Sequence, residues 1–149
     1  MIRNAILLSI TLAAGAALAD EPAWRITKIE PGTTALQPLP AFPGVSNGFL
    51  IGAFDRAGLY AAEGEMAAGS TFPPHTHPDT RLTIVISGTM YLGEGTTADP
   101  ARLIAYPAGT AAITPGGTPH YMAAQDGDVR VLEIGAGPSG FAFAEGDAQ

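Results

Sequence analysis

Cysteine is absent from the 149 residues, which excludes a disulfide scaffold, a thiolate metal site and a cysteine nucleophile. Positive charge is scarce. Seven Lys and Arg against fourteen Asp and Glu give a formal charge of −7, and the basic residues are scattered singly. Such a surface repels phosphate, so neither nucleic acid nor an anionic membrane is expected as a partner. Helical patterning is lacking too: between Asp20 and Gln149 no stretch sustains a 3.6-residue apolar period without a Gly or Pro break. After residue 19 no apolar run approaches the length of a membrane span. What remains is abundant turn chemistry, 19 Gly and 13 Pro, in a chain that is 46% hydrophobic and able to build one core.

Residues 1–19 have the form of an export signal. Arg3 precedes an apolar stretch interrupted by Ser9, Thr11 and Gly15, and Ala17-Leu18-Ala19 supplies the small-x-small cleavage pattern. The expectation is cleavage before Asp20 and a periplasmic or secreted protein, residues 20–149 forming a single domain with no membrane attachment.

Short apolar or alternating runs follow one another between turn residues: 24–30, 48–54, 59–66, 81–87, 89–92, 102–106, 111–114, 120–125 and 129–134. This spacing predicts an all-β sandwich or barrel. Asp126-Gly127 and Gly88 predict hairpins between the runs they separate. In 81–87, Leu82, Ile84 and Ile86 share one face, with Arg81, Thr83 and Val85 on the other. Both faces are partly apolar, so the outer one is expected to be covered, by a second subunit in a homodimer or by the Pro-rich N-terminal arm.

All three histidines, His75, His77 and His120, belong to one pattern. His75 and His77 are an i, i+2 pair held extended by Pro73, Pro74 and Pro78, so both rings project to one side. The tight turn at residues 115–119 feeds a strand that could bring His120 alongside. Three neutral imidazoles suit Fe, Zn, Mn, Cu or Ni as a divalent cation and leave positions open for water or substrate. The bland alternative is two exposed turn residues and one packing residue.

The surrounding frame resembles the cupin superfamily. Gly69, five residues, His75-Thr76-His77, three residues, Arg81, six residues and Gly88 match its first motif (69–88). Gly109, five residues, Pro115-Gly116-Gly117, two residues and His120 match its second (109–124). The resemblance looks closest to small secreted single-domain bacterial cupins. It implies a jelly-roll β-barrel with a metal in its mouth and says little of substrate, because the fold hosts oxygenases, isomerases, lyases and plain binders.

The departure from that pattern is Arg81, which stands where cupins usually place a glutamate ligand; Ala124 likewise replaces a common Asn. Guanidinium has no lone pair to donate. Arg81 is therefore expected to orient a substrate carboxylate beside a three-histidine centre, as in cupin-type thiol and diketone dioxygenases. Alternatively a carboxylate, Asp79, Glu65 or Glu63, completes the ligand set, or Arg81 is neutralised by Glu65 or Glu94. Tyr121, Tyr91 and Tyr106 are candidates for proton transfer, Tyr121 foremost. Met66, Met90 and Met122 are read as core, and no serine triad is expected. The functional expectation is an exported three-histidine metalloprotein with oxygenase-like chemistry on a small, anionic molecule. Its rival is a non-catalytic small-molecule binder.

Overall fold

The computed structural model describes residues 26, 28–30 and 32–144. The export signal lies outside the described residues, and the described part of 24–30 carries no strand pairing. Eleven strands follow: β1 (Gln37–Pro38), β2 (Val45–Ile51), β3 (Gly58–Met66), β4 (Thr71–Thr76), β5 (Arg81–Ser87), β6 (Thr89–Glu94), β7 (Ile104–Pro107), β8 (Ala111–Thr114), β9 (His120–Ala123), β10 (Val129–Gly137) and β11 (Ala142–Phe143). The one helical element described is a short 3-10 turn, Pro100–Arg102, which takes the start of the expected run 102–106. Among the described residues no helix is long and apolar enough to cross a membrane.

The strands form two antiparallel sheets, β1-β2-β3-β10-β5-β8 and β11-β4-β9-β6-β7, facing each other as a jelly roll whose edges do not close into a continuous barrel. Alternation decides what faces inward. Thr83 and Val85 of β5, Val129 and Val131 of β10 and Met66 of β3 are buried, and with Phe42, Val45, Met90 and Met122 they build the core between the sheets. The three methionines pack there as expected.

Two predicted hairpins are not formed. β5 and β6 flank Gly88 but belong to different sheets, as do β9 and β10 on either side of Asp126-Gly127. These turns carry the chain across the sandwich instead. Gly88 needs its glycine for this: its φ is +75°, and an added Cβ would be driven into the Asp128 carbonyl. Turn residues report a reversal of direction, and a jelly roll reverses between sheets as often as within one.

The arm covers part of the outer face of the six-stranded sheet, lying over Gly48 through Thr34, Ala35 and Leu36 and reaching Glu63. The Gly32 amide donates to both oxygens of the fully buried Glu63, at 2.8 and 3.0 Å, beside Arg130, which also pairs with Glu65 at 2.8 Å. Leu82, Ile84 and Ile86 remain half-buried on that face.

Candidate metal centre and its ionic support

β4 and β9 are neighbours in the five-stranded sheet, and their register sets His75 opposite His120. His77 follows just past the end of β4. The three ring centroids lie 4.2 Å (His75–His120), 4.7 Å (His75–His77) and 5.2 Å (His77–His120) apart. One ring nitrogen from each lies within 4.8 Å of the others. All are buried, with 1%, 8% and 5% exposure.

Their hydrogen bonds determine what they offer. Each Nδ1 is bonded to a backbone carbonyl: His75 to Pro73 at 2.7 Å, His77 to Gly140 at 2.6 Å and His120 to Thr118 at 2.9 Å. A carbonyl accepts only, so each Nδ1 must carry the proton and each Nε2 keeps its lone pair. Burial lowers all three pKa values. It pushes His75 to about 3, aided by the charge of His120, and His77 to about 4, aided by Arg81. His120 is lowered by burial as well. The cluster is neutral at physiological pH, the state that binds metal. Three imidazoles and no carboxylate suit a first-row divalent transition ion and not calcium or magnesium.

Arg81 faces inward from β5 and is 2% exposed. Its Nη1 donates to Glu133 Oε2 at 3.1 Å. Its Nη2 donates to Asp79 Oδ1 at 3.2 Å and to Ser139 Oγ at 2.8 Å. Its Cζ lies 5.5 Å from the Phe54 ring centroid and 5.7 Å from the Tyr60 ring centroid. Both Asp79 oxygens are engaged: Ser139 also donates to Oδ1, and Tyr60 Oη donates to Oδ2 at 2.5 Å. Burial works to raise the Asp79 pKa, but the Ser139 and Tyr60 hydrogen bonds and the Arg81 charge outweigh it and hold the carboxyl below its ordinary value. The Tyr60 phenol is pushed up by burial and by Asp79.

This geometry corrects three expectations. Arg81 is neutralised by Asp79 and Glu133, not by Glu65 or Glu94, because those two lie outside its reach: Glu65 pairs with Arg130, and Glu94 is exposed at the end of β6. Asp79, Glu65 and Glu63 do not join the metal-capable group, Asp79 because its oxygens are already committed. Tyr121 is not brought to the histidines. Alternation along β9 turns it to the outer face of its sheet, where its ring lies over Gly93 and its hydroxyl donates to the Asp99 carbonyl at 2.9 Å. Tyr60 instead joins the Arg81 network through Asp79.

His75 and His77 border a cavity of about 170 Å³. Leu39, Val45, Met66, Phe72, Met122 and Phe141 supply apolar walls, and His75, His77, Arg81 and Glu133 are among its polar lining. Sequence reasoning missed Glu133. Its signal was a lone charge on the inward stripe Val129, Val131, Glu133, in a strand whose other inward residues are apolar.

The comparisons agree with this architecture. No curated protein matches the sequence. The polyketide cyclase RemF of Streptomyces resistomycificus superposes with a TM-score of 0.68 at 19% identity, over 83% of this chain and 89% of that one. The DMSP lyase DddQ of Ruegeria pomeroyi gives 0.60 at 19%, over 76% of this chain and 64% of that one. A cupin 2 conserved barrel domain protein of Rhodopseudomonas palustris gives 0.55 at 19%, over 70% and 72%. Identities this low show shared fold and no more. The family model for the cupin domain matches residues 62–135, which hold the whole histidine cluster and Arg81 with both its carboxylates. The chain belongs to the cupins, as a small protein of the cupin-2 kind.

Proposed function

We propose that this is an exported metal-dependent cupin that holds one divalent transition-metal ion on His75, His77 and His120 and acts on a small organic molecule bound in the adjoining cavity. The observation that carries the reading is the set of three Nδ1–carbonyl bonds, which leave each Nε2 unprotonated on imidazoles that each bring one ring nitrogen within 4.8 Å of the others. Export rests on residues 1–19 alone.

When bound, the ion supplies Lewis acidity and, as iron or copper, dioxygen activation; oxygenation is the reaction class we assign. The chain's own residues bind and orient. The apolar walls exclude water and select a mostly hydrophobic molecule. Arg81 does not hold a substrate anion, because two carboxylates already face it and leave that side of the cavity with net negative charge. The molecule that fits is neutral on entry, not the anion that Arg81 suggested from the sequence.

The test is metal content by plasma mass spectrometry on untagged protein purified without chelator, beside His75→Ala and His120→Ala. About one ion per chain in the wild type, lost in both variants, supports the reading. Metal far below stoichiometry, unrecovered after reconstitution with iron, zinc, manganese and copper, overturns it in favour of a metal-free binder.

A further inference from the structure

Resting on that metal reading, we propose that Glu133 is the catalytic residue that takes a proton from the bound molecule, and that Arg81 is its positioning residue. The substrate class this implies is a neutral acid: a molecule with an ionisable O–H, or a C–H beside a carbonyl, within a largely apolar body.

The argument is a census of carboxylate oxygens. Both oxygens of Asp79 are taken, by Arg81 and Ser139 on one side and by Tyr60 on the other. Glu65, which also borders the cavity, is held by Arg130. Glu133 alone is half committed. Its Oε2 accepts from Arg81, whereas its Oε1 takes no hydrogen bond among the described residues. The side chain is 20% exposed, and it lines the cavity together with His75 and His77. One oxygen is anchored, and the side chain as a whole lines the cavity that His75 and His77 also border.

A carboxylate in an otherwise apolar stripe is costly to bury, and the surroundings supply what makes it tolerable. Arg81 is fixed by Asp79, Ser139 and two aromatic rings, so it holds Oε2 without moving. The charged and titratable groups around Glu133 are Arg81 from β5, Asp79 from the β4–β5 turn, Tyr60 from β3, and the three histidines from the β4 and β9 side. None but Glu133 combines negative charge with a free oxygen. In the step, the ligand's O–H or C–H bond breaks, its electron pair stays on the ligand, and an O–H bond forms at Glu133 Oε1. Arg81 keeps its bond to Oε2 throughout, and the ligand leaves the step as an anion beside the histidines.

The test counts protons. Full-length protein is loaded with zinc, its zinc content is measured, and benzohydroxamic acid is titrated in by calorimetry in two buffers of different ionisation enthalpy. This probe is a neutral O–H acid that binds metal as its anion. With Glu133 as acceptor, wild-type protein releases close to no proton to buffer. Glu133→Gln, which preserves shape and the contact to Arg81, then releases about one proton per probe bound and binds it about ten-fold or more weakly. Glu133→Asp restores part of the proton uptake and serves equally if the Gln variant fails to fold. Equal proton release from wild type and Glu133→Gln overturns the proposal, as does zinc-loaded wild type that does not bind the probe. Loss of zinc from Glu133→Gln alone overturns it by making Glu133 a ligand. Wild-type protein that takes up no zinc is a different failure, read before any probe is added: it refutes the metal centre and this proposal with it.

Discussion

His75 lies directly opposite His120 across the β4–β9 ladder, with 4.2 Å between ring centroids and each Nδ1 bonded to the carbonyl of the residue two positions before it. The two strands thus carry the same local device, and antiparallel pairing turns the devices toward each other. Two ligand candidates 45 residues apart are aligned by sheet register alone.

Metal should stabilise the fold. An ion that binds the assembled cluster and not the unfolded chain adds free energy that grows with concentration, about 2.7 kcal/mol at a hundred-fold excess over Kd. Differential scanning calorimetry should show a higher Tm with metal than after exhaustive chelation. His75→Ala should show no such difference.

Acid should unfold the metal-free protein through the same residues. The folded-state pKa values of His75 and His77, about 3 and about 4, lie below the ordinary 6.5, so the unfolded chain takes up protons first. The stability tied to neutral histidines is complete above pH 6.5 and is lost as pH falls from there toward 4, by up to about 1.4 kcal/mol per pH unit for each histidine. Urea midpoints at pH 8, 6 and 5 measure this. A midpoint that does not move between pH 8 and 5 contradicts the assignment.

Arg81→Met should be among the most damaging substitutions in the chain. It leaves Asp79 and Glu133 facing each other across a buried space with no cation between them, a loss of about 3 kcal/mol or more. Asp79→Asn, which keeps hydrogen-bonding capacity, should cost less. Chemical denaturation of both variants gives the comparison, and equal costs would refute the charge argument.

Gly135→Ala probes the close approach of β10 to this network. Its added Cβ would collide with the Tyr60 hydroxyl and Asp79 Oδ2. Either Tyr60 withdraws and the hydrogen bond to Asp79 is lost, or the strand shifts. We expect about 1–3 kcal/mol of destabilisation by urea titration, whereas Gly140→Ala, with open space at its Cβ, should be nearly neutral.

Much of this is legible in the sequence. Alternation set Arg81, Thr83 and Val85 on one face of their strand, and the resemblance to the two cupin motifs grouped His75, His77 and His120. What alternation could not supply was pairing across sheets. The partners of Arg81 come from the turn after β4, from β10 and from the segment after it, 2, 52 and 58 residues away. Nothing local marks Glu133 or Ser139 as its neighbours. Tyr121 misled because it adjoins a candidate ligand, His120, in sequence, and on a strand adjacency means opposite faces. The hairpins misled because turn residues do not encode which sheet comes next.

The segment after β10 has a temporal meaning. Gly140 holds the His77 ring, Ser139 bridges Arg81 to Asp79, and β11 pairs with β4 alongside His75. Every one of these ties comes from residues translated more than 60 positions after the histidine pair. A nascent chain that has not yet reached Gly140 can present its imidazoles but cannot orient His77. An ion captured at that stage would meet a pliable cluster, open to whichever metal is most abundant. Export in an unfolded state would defer that choice to the compartment where the last strand is laid down.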